Sequence, residues 1–474
     1  MSYYGIVTTL KDVRKHPNAD RLQLADIFRT TVCVSLDYTE GQLGVYFPTG
    51  GQLSIKFAEA NNLLRKKDAE GNNIGGYMDP DKRNVTAIKL RGEKSDGLFL
   101  PITCLETFGD ISSLKIGDHI DVFNGEEICT KYIPKTNTRR GHVSEGNHTR
   151  KVKAPIAPTF AEHADTEQLA YNLGAFKPGD ELELSLKMHG TSQRTGYLKV
   201  LTGYKKTLLD KIFKRPGTPI YDWGYVSGTR RVVLDTFDGG FYGSNEFRKQ
   251  HHDTFVGKLW KGETVYYEVV GFTHTGAPIM GNGNNEKLGK DFVKQYGKET
   301  VFSYGCSPTG VKTTFYIDSE HNQLAIPDTA PISDIYVYRM TMTNEDGEVV
   351  EYTPDFMRYR CEQMGVKTVL VFGKATLSED RLHFTAPDGY DHDYLIGDGE
   401  LGNMIMRCAE DYFDGPDPVG KTHIREGVVV RIVNRPKFCA YKIKNFSFKV
   451  LEGIISEKLA ESTADIAEDV LAEM

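Results

Sequence analysis

The 474-residue chain has no run of about 18 apolar residues, the length that a membrane-spanning helix needs. Its first residues, MSYYGIVTTLKDVRKHPNADR, lack the apolar core of a signal peptide. From these two absences we expect a cytoplasmic protein with no membrane partner. The seven cysteines (Cys33, Cys104, Cys129, Cys306, Cys361, Cys408 and Cys439) include no closely spaced pair. That excludes a zinc knuckle and a disulfide framework, leaving reduced, mostly buried thiols as the expectation. Excess positive charge is missing too: 58 Lys and Arg against 65 Asp and Glu give a net charge of −7. Overall charge therefore does not advertise nucleic-acid binding, and a local basic patch must be sought instead.

What is present is ordinary for a folded protein. Hydrophobic residues make up 39% and charged residues 26%, and the length suits two or three domains, each with its own core. Short alternating runs over Tyr4–Thr8, Arg21–Phe28, Thr31–Leu36, Gln42–Phe47, Val85–Leu90 and Gly97–Leu100 predict strands. Turn punctuation such as PTGGQ (48–52) separates them, and SIKFAEANNLLRK (54–66) predicts a helix. Residues 1–129 thus read as a small β-barrel of the OB type, which binds single strands through an open face and loops. A structural or dimerising barrel has the same pattern. Residues 130–160 read as a basic linker: from Lys131 to Lys153, seven lysines and arginines face one acid, Glu145. Arg139, Arg140, Arg150 and Lys151 are the candidates there for an RNA phosphate backbone, and a solvated tether is the competing reading.

The chemistry-bearing stretch is ELELSLKMHGTS (181–192). A period of two puts Leu182, Leu184, Leu186 and Met188 on one face of a strand and Glu183, Ser185 and Lys187 on the other. Lys187 ends the strand, just before a turn at His189 and Gly190, a geometry that suits a nucleophilic amine. The preceding ADTEQLAYNLG (164–174) has the look of a capped helix, and YKKTLLDKIFKRP (204–216) is a basic insertion that suits an RNA-facing loop or a charged helix face. SGTRRVVLD (227–235) sets Arg230 and Arg231 at the head of an apolar strand. TVYYEVVGF (264–272) embeds one acid, Glu268, which is costly to bury unless it is paired or coordinating. ISDIYVYRMTM (332–342) puts Tyr336, Tyr338 and Met340 on one strand face, a pattern that core packing also produces. REGVVVRI (425–432) is a strand headed by Glu426. In YKIKNFSFKV (441–450), Lys442 and Lys444 share a face, with their ammonium groups about 7 Å apart. They repel each other unless an anion such as a phosphate lies between them. GPDPVGKT (415–422) satisfies the P-loop expression, but no apolar strand precedes it and a strand follows where the phosphate-binding helix belongs.

In this order the segments resemble motifs I, Ia, III, IIIa, IV and V of the covalent nucleotidyltransferases, the superfamily of RNA ligases, DNA ligases and capping enzymes. HPNADRLQLADI (16–27) and AIKLRGEKSDGLFLP (87–101) resemble the OB-type module ahead of the catalytic domain in one branch of RNA ligases. They are also similar to tRNA-binding modules of some aminoacyl-tRNA synthetases. The resemblance implies an α+β chain: an antiparallel-sheet nucleotidyltransferase (adenylyltransferase) domain over 161–453, preceded by the OB-like domain and followed by an acidic helical tail, 454–474. No C-terminal OB domain is expected, unlike in DNA ligases and capping enzymes.

The same resemblance implies an ATP-dependent RNA ligase that joins 3′-OH and 5′-phosphate ends through lysyl-AMP on Lys187 and AMP-capped RNA. A free lysine near pKa 10.4 is protonated and no nucleophile, so Lys442, Lys444 and a bound cation would have to favour the neutral amine by like charge. His189, Gly190, Arg230, Glu268, Tyr338 (by alignment, over Tyr336), Glu426, Lys442 and Lys444 are implied nucleotide contacts. Glu268 and Glu426 would hold Mg²⁺ or Mn²⁺ through water. Two departures stand out: Arg231 replaces a usual asparagine, and His189 replaces a frequent aspartate, so we assign His189 to nucleotide and not to metal. Expected partners are ATP and RNA, as a nicked duplex or broken ends, with no obligate protein partner. A GTP-dependent capping-type enzyme and a non-catalytic RNA-binding protein with a ligase-like domain are the alternatives.

Overall fold

The computed structural model of the protein describes residues 3–67, 73–132, 154–213, 215–234, 236–238, 244–396 and 401–451. The basic-linker residues Arg139, Arg140, Arg150 and Lys151 and the acidic tail lie outside them. The chain divides into two units, one of Met1–Glu145, Lys287–Gly289 and Lys449–Met474, the other of Gly146–Glu286 and Lys290–Phe448.

The first unit is built on two antiparallel sheets. One has the order Leu98–Pro101, Leu43–Phe47, Gly5–Thr9, His119–Ile120, and the other joins Lys11–Lys15, Leu22–Ile27 and Thr30–Ser35 in sequence. Inward residues of both, among them Val7, Leu22, Leu24, Val45 and Phe47, share one core. The predicted helix is shorter than its sequence suggested, covering Ile55–Ala60. Ser54 caps its start by accepting from the Phe57 amide, and the Asn61 side-chain amide donates to the Phe57 and Cys104 carbonyls at its end. Asn62 then turns left-handed at φ +52°, which lets Leu63 and Leu64 run into the core as extended chain.

The second unit has two larger sheets. Their main strands are β1 (Glu181–Leu186), β2 (Thr191–Lys205), β3 (Thr218–Gly228), β4 (Glu263–Gly271), β5 (Ser333–Thr343), β6 (Val371–Leu377), β7 (Arg381–Thr385), β8 (Asp391–Leu395), β9 (Gly427–Ile432) and β10 (Cys439–Lys444). One sheet runs β10–β9–β1–β6–β7–β8 and the other β3–β2–β4–β5, antiparallel throughout these paths. Helices α1 (Glu246–Phe255), α2 (Pro354–Met364) and α3 (Leu401–Phe413) cover them.

The alternation read from the sequence sorts the first sheet. Leu182, Leu184 and Leu186 of β1 share a face with Val428, Val430 and Ile432 of β9, all buried, and α3 lies against β9 and β10. Glu183, Ser185 and Lys187 fall on the opposite, polar face. In the second sheet Val265, Tyr267 and Val269 of β4 pack with Phe247 and Phe255 of α1 and Met357, Cys361 and Met364 of α2. The other face of β4 carries Tyr266 and Glu268. The polar faces of the two sheets meet: Arg339 of β5 holds Glu351, and Arg431 of β9 approaches the same carboxylate at 3.9 Å.

The predicted 164–174 helix is not formed. Glu167–Gln168 instead pairs with β10 in parallel, followed by two 3₁₀ turns. Pairing with a sheet edge outweighs a short segment's helix signal, since an isolated helix of that length is marginal.

At the start of β4, Glu263 is fully buried and takes both its oxygens to Arg360 at 2.8 Å. The Tyr352 hydroxyl and the Trp260 amide also donate to it, and the Arg360 guanidinium lies 3.7 Å from the Trp260 ring centre. Removing one partner of such a pair strands a buried charge. Arg360→Met should therefore cost about 3–5 kcal/mol in urea unfolding. Adding Glu263→Gln should recover part of that loss; a double variant losing the sum of both single changes would contradict the coupling.

Candidate active site

Lys187 lies one residue beyond β1, and its amide donates to the Gly427 carbonyl at 3.0 Å, holding it against the head of β9. Gly427 pairs in turn with Lys444 of β10. This register brings Lys187 and Lys444 to one place, with Glu426 between them. The Lys187 Nζ is 2.7 Å and the Lys444 Nζ 2.8 Å from the same oxygen, Glu426 Oε1. Glu426 is 2% exposed. Burial alone raises a carboxyl's pKa, but the two ammonium groups outweigh it and hold Glu426 well below the usual carboxylate range. Lys442 is buried on the same face, opposite Val429. The Glu426 carboxylate thus lies between Lys187 and Lys444, whereas the sequence pattern called for an anion between Lys442 and Lys444.

The second sheet supplies the facing wall. Glu268 pairs in register with Ser192 of β2 and Tyr336 of β5. Burial is the main force that raises its pKa from 4.5 to about 7; the Lys187 ammonium opposes the shift and the Glu426 carboxylate adds to it. A register shift leaves Tyr338 as an extra residue, since Tyr267 pairs with Val337 and Tyr266 with Arg339. This β-bulge aims the Tyr338 hydroxyl at Ser192 Oγ, 3.0 Å away, and its ring edge at His163, 5.3 Å between centroids. The bulge also corrects the predicted stripe. Met340 falls with Ile335 and Val337 in the core and not with the two tyrosines.

Gly190 is required by close approach: a Cβ there would meet the Val269 carbonyl oxygen at 2.3 Å and Glu268 Cγ at 2.9 Å. Arg230 and Arg231 both pair with Asp165 at 3.0 Å. His189 is buried, with its ring edge-on to Phe302 (4.6 Å) and Phe448 (4.7 Å) and Nδ1 3.6 Å from Glu426 Oε2.

The sequence reading missed several neighbours. Arg248 of α1 donates to Thr191 Oγ1 and to the Ser192 carbonyl, fixing the chain after Gly190. The Tyr304 hydroxyl accepts from the His189 amide at 2.9 Å, and His163 stands beside Tyr338. No local sequence pattern marks any of the three. The 204–216 insertion carries a short helix, Leu208–Ile212, and exposes Leu208, Leu209, Ile212 and Phe213 as well as charge. The P-loop expression folds as a tight loop closed by a Pro416–Ile424 bridge, with Asp417 accepting from the Val419 and Gly420 amides and β9 following.

Among the described residues no cluster of three or more His, Cys, Asp or Glu is placed to hold a metal ion. Among the described residues, Glu268 and Glu426 are acids that interact with Lys187. Glu426 Oε2 is buried, with His189 Nδ1 3.6 Å away.

No protein-family model and no curated protein matches the chain. Solved structures do. A point mutant of the Naegleria gruberi RNA ligase with ATP and Mn matches at a TM-score of 0.52 and 14% identity, over 96% of this chain and 99% of that one. A second mutant with ATP and Mn matches at 0.51 and 15%, over 95% and 99%. The same enzyme with PPi matches at 0.50 and 14%, over 94% and 97%. The fold is that of an RNA ligase. At such identity the likeness extends to the fold alone. No helix among the described residues is long and apolar enough to cross a membrane.

The raised Glu268 value has a consequence for stability. Between about pH 4.5 and 7 the native state keeps a proton that the unfolded chain has released, so Glu268 costs stability progressively across that window. Glu268→Gln should melt close to wild type near pH 4.5 and increasingly above it up to about pH 7.5. A pH-independent difference in melting temperature would show that Glu268 does not titrate there.

Proposed function

We propose that the protein is an ATP-dependent RNA ligase that joins RNA 3′-OH and 5′-phosphate ends, in RNA repair. The observation that carries this reading is the placement of two lysine amines, Lys187 and Lys444, on one buried carboxylate oxygen of Glu426. Two ammonium groups on one carboxylate oxygen, with Lys442 on the same strand face, make a set of donors that a phosphate can engage. A triphosphate entering here meets Lys442 and Lys444 as phosphate ligands and Lys187 as the amine nearest its α-phosphorus. Once its ammonium has given up a proton to water, Lys187 Nζ forms a bond to the α-phosphorus as the bond to pyrophosphate breaks, leaving AMP on the lysine. The AMP passes to an RNA 5′-phosphate, and an RNA 3′-OH displaces it to seal the strand.

The remaining groups fit supporting roles. Tyr338 offers a ring for the adenine, with Ser192 and His163 fixing its hydroxyl. Arg230 would exchange Asp165 for a phosphate. Glu268 and Glu426 are the carboxyl groups beside Lys187, and carboxylate oxygens suit a hard cation, so these two would hold Mg²⁺ or Mn²⁺ through water. The cation, when bound, neutralises charge on the phosphates. On this reading the catalytic domain spans 161–453. The N-terminal module is an OB-like domain, and Arg139, Arg140, Arg150 and Lys151 lie along the RNA backbone.

Incubation with α-labelled ATP and Mg²⁺ or Mn²⁺ should leave acid-labile label on the wild-type chain, none on Lys187→Ala, and about 100-fold slower labelling of Glu426→Gln. Label that persists in Lys187→Ala removes the nucleophile assignment, and labelling from GTP in place of ATP favours a capping-type enzyme. Sealing of a nicked RNA with a 5′-phosphate then tests the second and third steps.

A further inference from the structure

The turn that carries Lys187 and the segment that carries Glu426 both rest on one short stretch outside every motif singled out in the sequence, Phe302–Tyr304. Tyr304 is 3% exposed and stands in the left-handed region at φ +47°, a conformation that a bulky side chain adopts only when its surroundings hold it there. Its hydroxyl accepts from the amide of His189, two residues after Lys187, at 2.9 Å. Its ring stands edge-on to His423 with 4.7 Å between centroids. His423, three residues before Glu426, is fully buried, and its Nδ1 lies 2.9 Å from the Ile424 carbonyl. That carbonyl can only accept, so Nδ1 carries the proton and Nε2 is a bare acceptor. Nε2 is buried without a hydrogen-bond partner, as is Oδ2 of Asp417 in the same loop. Phe302 completes the contact, edge-on to His189 at 4.6 Å and to His423 at 5.2 Å.

We propose that Tyr304 is a positioning residue that locks the His189 amide, and through it the Lys187 turn, against the His423 loop so that Lys187 and Glu426 keep their mutual geometry. Tyr304 touches neither nucleotide nor metal in this scheme. The strained backbone is the cost of bringing its hydroxyl under the turn, and a strained residue persists where the surroundings over-determine it. Displacement of a nucleophile by an ångström is enough to slow a group transfer substantially. The rate consequence rests on the nucleotidyltransferase reading, whereas the structural consequence does not.

The test uses the full chain and Tyr304→Phe, which removes one oxygen and keeps the ring. Amide hydrogen exchange without nucleotide should show the His189 amide exchanging at least about 10-fold faster in the variant, with α3 and β4 unchanged. Single-turnover labelling from α-labelled ATP should slow by about 10-fold at saturating ATP, with the half-saturating ATP concentration within twofold of wild type. Unchanged exchange at His189 overturns the proposal whatever the labelling shows. So does a labelling rate equal to wild type, or a defect that appears only as weaker ATP binding. If exchange accelerates throughout the domain, Tyr304 is merely structural and the proposal also falls. Wild-type protein that takes no label defeats the proposed function instead, and the exchange result still decides the role of Tyr304.

Discussion

A single oxygen, Glu426 Oε1, sits between the ammonium groups of Lys187 and Lys444, and the architecture around it exists to keep that contact. Two lysines so close repel strongly in a medium of reduced dielectric, and a buried carboxylate without them would pick up a proton. Each group is therefore tolerated because of the other two. The contact requires three strands to be adjacent in one order, β1 beside β9 beside β10, and it requires one register, with Lys187 held to Gly427 and Gly427 opposite Lys444. A slip of one residue in β10 would move Lys442 and Lys444 to the apolar face that packs against α3.

The same alternation explains why the buried charges of this unit come in matched sets. Where the polar faces of the two sheets meet, Arg339, Glu351 and Arg431 form one group and Glu183 and Arg358 another. Such pairs add little to stability compared with a well-packed apolar core. They do set which arrangements of the sheets are allowed, because any other packing leaves a charge unmatched. Around the lysines the balance is looser: burial leaves Glu268 with its pKa near 7, and Glu426 Oε2 has His189 Nδ1 beside it at 3.6 Å.

Much of this was legible in the sequence because it is local. Period-two alternation placed Leu182, Leu184 and Leu186 opposite Lys187, and Lys442 with Lys444, and those assignments need only strand geometry. The short acid-headed strand at Glu426 and the embedded Glu268 were visible for the same reason. Failures came where tertiary structure overrides a local signal. The bulge at Tyr338 breaks the alternation and sends Met340 into the core, because the extra residue is defined by its partner strand β4 and by nothing in β5 itself. The helix expected over 54–66 ends at Ala60 because Leu63 and Leu64 are drawn into the core. The capped-looking 164–174 segment is taken up by the open edge of β10.

Residues that support the site from behind were not legible at all, for a physical reason. Tyr304, Arg248 and His163 reach it from elements far along the chain, and each acts through backbone atoms or through one partner side chain. A hydrogen bond to a main-chain amide places no demand on the identity of the residue that owns the amide, so it leaves no pattern in the sequence around His189. The left-handed φ of Tyr304 goes further, since composition there favours a different conformation. Local preference and global fold disagree at that residue, while they agree along β1, β9 and β10. A bulky residue that keeps a left-handed φ against its own preference is held there by its surroundings, here by the His189 amide and the His423 ring.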